Sequence, residues 1–232
     1  MRYFYIIIFC TISIFALGQT IKFDIKMLND QSKNLSNTPA LIKSGYWQTF
    51  GFQIGYKHEF NNFNLSIDFL KQRPKTFFGF DNELTFPYSS TGVEFHDVYS
   101  PSIGLGKSWD ILNWLYLDAT FSCHYTFIKL TGDEVFIDFG DYPKVKYKAI
   151  YSSNDSQQFR YELKIETGFK FLKRWNYHFN ASYIMGNKKY INAQLKYSIL
   201  SGENEGEYNN EISSNGTAWT LGMGIGFDIV KK

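Results

Sequence analysis

Cysteine is nearly absent: the 232 residues contain two, Cys10 and Cys123. Charge of either sign is not in excess, since 24 Lys and Arg against 22 Asp and Glu leave a net charge of +2. Nothing in that balance suggests a polyanion partner such as nucleic acid, and none is expected. Beyond the first twenty residues no apolar run reaches 18 residues, so no further helix is long enough to cross a membrane. Mean hydropathy is −0.28, which fits no helical membrane protein. It leaves a membrane β-barrel open, because the strands of such a barrel are only half apolar. CxxC, P-loop, GxGxxG and zinc-ligand patterns are all missing, so the usual motifs for redox, phosphate and zinc chemistry have no foothold.

What is abundant is aromatic. Phe, Tyr and Trp make up 19% of the chain, and these residues favour strands. The opening MRYFYIIIFCTISIFALGQT places Arg2 before an apolar stretch at 3–15, and Ala16-Leu17-Gly18 gives a small-x-small cleavage pattern. Residues 1–18 therefore read as a signal peptide, with Gln19 the expected mature start and 19–232 a single domain. The exported chain then keeps one thiol, Cys123, and forms no internal disulfide.

From Gln19 onward the pattern is alternation, the period of a half-buried strand. Eight runs stand out: 21–27, 46–60, 63–69, 93–105, 115–127, 159–171, 177–185 and 219–229. The sixth is the cleanest. Phe159, Tyr161, Leu163, Ile165, Thr167, Phe169 and Phe171 face one way, and Gln158, Arg160, Glu162, Lys164, Glu166, Gly168 and Lys170 the other. The connections alternate long and short: about 29–44, then 61–62, 71–92, 107–113, 129–156, 172–175 and 187–215. This is the rhythm of an all-β, eight-stranded antiparallel up-and-down transmembrane β-barrel with short periplasmic turns and long extracellular loops. The long connections 129–156 and 187–215 are themselves rich in strand formers. They read as hairpins continuing beyond the membrane or, alternatively, as two extra spanning strands in a barrel of ten.

Alternation does not say which face is outside, and a soluble lipocalin-like barrel would carry its apolar face inward. Three features place it outward. Aromatics gather near strand ends, with Tyr46, Trp47 and Trp219 at the long-loop rim and Phe60, Phe63, Trp109, Trp114 and Trp175 at the short-turn rim. Those are the positions of two interfacial girdles. Several apolar stripes run nine to fifteen residues, against about 9–11 needed by a tilted spanning strand. The polar face is small and charge-paired: Lys22, Lys26, Lys57, Arg160, Lys164 and Lys170 against Asp24, Glu59, Asp68, Asp118, Glu162, Glu166 and Asp228. An eight-stranded barrel has room inside for side chains and little else, so these thirteen residues are expected to form a salt-bridge network in the lumen. Gly222, Gly224 and Gly226 of the last run are expected beside Lys22, Asp24 and Lys26 of the first, where small residues make room for long ones.

With its leader, eight alternating runs, loop rhythm and terminal WTLGMGIGFDIV, the chain resembles the small eight-stranded outer-membrane β-barrel proteins of diderm bacteria, the OmpA-barrel/OmpX-like type. The resemblance covers about residues 19–230 and rests on architecture. It implies residence among outer-membrane lipids and insertion by the barrel assembly machinery, which reads the last strand. Such a signal often ends on an aromatic residue, whereas here Phe227 is followed by DIVKK.

The chemistry of the chain points to a non-enzymatic protein with no cofactor, metal or catalytic residue. Its role is then structural or loop-mediated binding of an extracellular ligand or partner that the sequence does not name, with the lumen plugged by ion pairs. A narrow channel for small solutes is the alternative, and balanced signs along Arg160, Glu162, Lys164 and Glu166 argue against it because selectivity rings carry one sign. His58 and His96 lie near strand ends, and His124 and His178 share polar faces. NYHFNAS invites comparison with outer-membrane lipid-modifying enzymes. However, Ser182 lies four residues from His178, roughly 13 Å along a strand, and no orienting carboxylate is identifiable. The acidic SGENEGEYNNEISSNG reads as a solvated loop and lacks the ligand order of an EF-hand.

Overall fold

The computed structural model of the chain describes residues 18–30, 33–34, 42–43, 48–60, 62–73, 75–80, 91–95, 97–129, 135–141, 144–152, 157–188, 191–202 and 205–230. The expected leader lies outside the described residues except for Gly18, and so do Tyr46, Trp47 and His96. Sixteen strands follow one another in the described residues. They are β1 (Gln19–Asp30), β2 (Lys33–Asn34), β3 (Ile42–Lys43), β4 (Gln48–Phe60), β5 (Phe63–Gln72), β6 (Lys75–Phe80), β7 (Thr91–Phe95) and β8 (Asp97–Leu112). Then come β9 (Leu115–Lys129), β10 (Val135–Asp141), β11 (Val145–Ser152), β12 (Gln157–Lys170), β13 (Trp175–Gly186), β14 (Ile191–Ile199), β15 (Gly206–Ser214) and β16 (Ala218–Val230).

Eight of them close into a barrel. In the order β1, β4, β5, β8, β9, β12, β13, β16, each pairs antiparallel with the next, and β16 pairs back onto β1. Closure removes both sheet edges, so every wall strand has a neighbour on each side. The ten-strand alternative is corrected. β10, β11, β14 and β15 stand outside the wall and pair with β2 as a five-stranded sheet, ordered β10-β11-β14-β15-β2. β15 shows why: it alternates Glu207, Asn209 and Glu211 with Tyr208 and Asn210, so neither face suits hydrocarbon. The two long connections thus build one sheet, joined where β11 pairs with β14. The fourth run is corrected as well. Val93 and Phe95 belong to β7, in a separate three-stranded sheet β3-β6-β7, and the wall strand starts at Asp97. The connection expected at 107–113 shrinks to Asn113-Trp114, because β8 runs on to Leu112.

The hairpin between β4 and β5 is the tightest local feature legible in the sequence. Asn62 has φ of 67°, a left-handed conformation that asparagine tolerates better than most residues. A two-residue loop needs that conformation to match the strand twist.

Sidedness follows the alternation with the apolar face outward. On β12, Leu163 is 54% exposed while its neighbour Glu162 is 1% exposed. The same holds for Phe23, Ile25, Phe52, Ile54, Ile67, Leu105, Phe121, Phe179, Leu221 and Met223, all exposed, against Lys22, Asp24, Lys26, Asp68, His124 and His178, all buried. The molecule is inside out relative to a water-soluble domain. Its large hydrophobic side chains form the outer surface, where water would penalise them and lipid would not.

The last strand meets its neighbours as the pattern requires. Gly226, Gly224 and Gly222 pair with Lys22, Asp24 and Lys26 on one side, and with Asn176, His178 and Asn180 on the other. A Cβ at Gly224 would lie 2.5 Å from His178 Nε2 and 2.7 Å from Asp24 Oδ1. The space of that missing side chain is filled by a histidine and a carboxylate.

Two further features were not expected. Near the long-connection end, the inward positions Leu28, Leu70, Val98, Ile184 and Ala218 are apolar rather than polar, and each is at most 3% exposed. In addition, Pro101 sits inside β8 and has no N–H, and the paired positions of β8 and β9 skip Ser100 and Pro101. Proline in a central strand removes a ladder hydrogen bond.

Candidate functional site: the lumen

The bore is filled by side chains from all eight wall strands. At the short-turn end, Lys22 pairs with Glu166 and lies 3.8 Å from Asp118. Lys57 reaches Asp118 at 2.8 Å and Glu59 at 2.5 Å. The Tyr116 hydroxyl donates to Glu166 at 3.2 Å. Further along, His178 Nε2 meets Asp24 Oδ1 at 2.6 Å, and Asn180 donates to the same oxygen at 3.0 Å. Lys164 faces Asp68 at 3.9 Å.

The next tier centres on Glu162. Its Oε1 takes Lys26 at 2.9 Å and the Ser182 hydroxyl at 2.5 Å, and its Oε2 meets His124 at 3.0 Å. Arg160 closes the long-connection end. It donates to Thr126 and Ser100 hydroxyls at 2.8 Å each and to the Gly216 carbonyl at 3.4 Å. The Gln72 amide, oriented with its oxygen toward the guanidinium, accepts from both terminal nitrogens at 3.0 and 3.1 Å.

Of the thirteen predicted lumen residues, eleven are buried, namely Lys22, Asp24, Lys26, Lys57, Glu59, Asp68, Asp118, Arg160, Glu162, Lys164 and Glu166. The other two belong to the rim. Lys170 is partly exposed and pairs with Asp110 at 3.2 Å, a partner hidden from sequence reasoning because Asp110 falls in the expected connection 107–113. Asp228 is half-buried and accepts from the Thr20 hydroxyl at 2.8 Å.

The reading of His178 needs correction on one point. An orienting carboxylate does exist: Asp24, which is 154 positions away in sequence and adjacent only because β16, between β1 and β13, carries glycine there. Ser182 instead bonds to Glu162 and to Thr220. His178 and Ser182 therefore belong to different tiers.

Ends and wall differ. A polar recess of about 240 Å³ opens at the short-turn end, lined by Thr20, Lys57, Glu59, Tyr116, Asn176 and Asp228 among others. On the outer wall the larger grooves are apolar, as along Phe52, Ile54, Phe69, Phe179 and Met223. Of the aromatics expected at the rims, Phe60, Phe63, Trp114, Trp175 and Trp219 are exposed at or beside strand ends, and Trp109 is exposed three residues inside the end of β8. Trp175 packs edge-on against Phe227 across the β13–β16 pair.

No known family model matches the sequence, and no curated protein matches it. Solved structures do match in shape. The outer membrane protein OprG from Pseudomonas aeruginosa superposes with a TM-score of 0.53 at 9% identity, over 92% of this chain and 97% of that one. The fold is that of a small eight-stranded outer-membrane β-barrel. Two further matches are Neisserial surface protein A and the attachment invasion locus protein Ail of Yersinia pestis. The first has a TM-score of 0.46 at 11% identity, over 90% of this chain and 96% of that one. The second has 0.41 at 12% identity, over 90% and 98%. At 9% identity the likeness to OprG is one of fold alone, and residue roles do not transfer with a fold.

Proposed function

We propose that the chain is a non-enzymatic integral protein of the bacterial outer membrane, inserted by the barrel assembly machinery after cleavage near Gly18/Gln19. Its lumen is plugged, and its outer sheet acts as a binding surface. The observation that carries this reading is the pairing of a hydrocarbon-compatible exterior with a bore in which Lys22, Lys26 and Lys57 each hold a buried carboxylate. A continuous conducting path would need water where those ion pairs lie. Buried Leu28, Leu70, Val98 and Ile184 on the inward face toward the long-connection end add apolar bulk to the plug. Exposed aromatics at the strand ends support girdles at the two membrane interfaces. Connections built into a five-stranded sheet support a role at the cell surface, because binding concentrates on loops held by a rigid scaffold.

A second reading, a narrow channel for small solutes, has the polar recess at the short-turn end in its favour. Planar-bilayer recording separates the two: a plugged barrel gives no unitary conductance, and steady single-channel steps would refute the plug. Membrane fractionation with heat-dependent gel mobility tests the location, which a water-soluble chain of unchanged mobility would overturn.

A further inference from the structure

We propose that residues 215–217 form a latch that couples the outer five-stranded sheet to closure of the bore. Displacing the β14–β15 hairpin then opens the Arg160 end to solvent. The inference rests on the plugged-lumen reading. Asn215, Gly216 and Thr217 are the three residues between β15, in the outer sheet, and β16, in the wall. They are tied down on both sides.

Toward the wall, Asn215 Nδ2 donates to the Gly186 carbonyl at 3.3 Å, and the Gly186 N–H donates to Thr217 Oγ1 at 3.2 Å. Toward the bore, Gln158 Nε2 donates to the Asn215 carbonyl at 3.3 Å, and Arg160 donates to the Gly216 carbonyl at 3.4 Å. The segment also braces itself. The Gly216 N–H donates to Ser214 Oγ and the Thr217 N–H to Asn215 Oδ1, both at 3.0 Å.

Two glycines make the fit. Gly216 has φ of 73°, a backbone state that residues with a Cβ rarely adopt. Gly186, the last residue of β13, lies so close to the Asn215 carbonyl that a Cβ there would overlap it. The same Arg160 that holds the latch bonds Ser100 and Thr126 beneath it, so the latch and the first tier of the plug share one side chain. On the other side the latch continues directly into β15, which is held in the outer sheet by the Tyr197–Tyr208 stack at 5.1 Å between ring centres. A force on the hairpin therefore reaches Arg160 through three residues of backbone.

A cysteine reporter tests this. Ser102 faces the bore one inward position below Ser100, is buried, and its hydroxyl has no hydrogen-bond partner, so Ser102→Cys removes no bond. In a Cys123→Ser background, the barrel is reconstituted in lipid nanodiscs and titrated with a charged methanethiosulfonate reagent. With the latch native the reporter reacts slowly. Asn215→Ala with Thr217→Val, which removes the two side-chain ties to Gly186 and the Asn215–Thr217 brace without a clash, raises the rate about tenfold or more, as expected when local opening limits access. Gly186→Ala does the same by expelling the strap. If that variant fails to fold, the Asn215/Thr217 pair decides. Tyr208→Ala, far from the bore, also accelerates labelling. Fast labelling with the native latch would refute the plugged lumen and the latch with it. Slow labelling in every folded variant would refute the latch alone. Acceleration by the Asn215/Thr217 pair without acceleration by Tyr208→Ala would overturn the coupling to the outer sheet.

Discussion

Replacing Glu162 by Gln keeps the shape of the side chain and removes its charge from the centre of the plug. Lys26 Nζ lies 2.9 Å from Glu162 Oε1, with both side chains at most 1% exposed. At that separation two unit charges attract by about 6 kcal/mol at an effective dielectric of about 20, and by about 1.4 kcal/mol at the value of bulk water. The difference separates a dry bore from a hydrated one. In a dry bore, stranding the Lys26 ammonium costs on the order of 3–5 kcal/mol. Replacing both partners, as Lys26→Met with Glu162→Gln, costs far less than the two single changes added together. The coupling between the sites is then about 2 kcal/mol or more. The measurement is urea unfolding of the barrel folded into phospholipid vesicles, followed by tryptophan fluorescence, with the midpoint and slope both recorded. A loss under about 1 kcal/mol for Glu162→Gln, the size expected of a solvated pair, would refute the dry plug.

Other outcomes follow from the same geometry. Gly224→Val drives methyl groups into His178 and Asp24, so heat-modifiable barrel should be lost, or stability should fall by about 1–3 kcal/mol or more. Unchanged yield and midpoint would refute the crowding of the closing strand. Leu163→Arg places a cation on the exposed wall in the middle of β12 and should cost about 2–4 kcal/mol of folding in vesicles. A neutral result would mean that the wall does not face lipid there. Pro101→Ala supplies an N–H where the β8–β9 ladder has a gap and should stabilise by about 0.5–1.5 kcal/mol, with exchange protection of the new amide at position 101. No gain in either would show that the gap has another cause. Cys123, on the outward face of β9, should react with an apolar maleimide and resist a charged one in vesicles, and the opposite preference would place it in water.

Much of this barrel was legible along the chain because a strand's side-chain period is two residues. Leu163 and Glu162 are neighbours in sequence, and their opposite fates, lipid and bore, follow from that period together with the need of a spanning wall for an apolar exterior. The alternation of long and short connections gave the up-and-down order, and Gly222, Gly224 and Gly226 indicated where the first strand's long side chains would lie. What stayed hidden depends on three-dimensional closure. Asp24 and His178 are 154 residues apart and share a tier only because β16, between their strands, carries no side chain at Gly224. Asp110 pairs with Lys170 through a strand end that local turn signals placed too early. Leu28, Leu70, Val98 and Ile184 break the polar-inside pattern and are buried all the same, since an inward position loses its solvent only when the barrel closes. The same holds for the outer sheet. Each long connection reads as a hairpin by itself, and only the tertiary structure brings β11 against β14, because the paired residues, Val145 with Ile199 among them, lie far apart in sequence and meet only once β12 and β13 are set side by side in the wall.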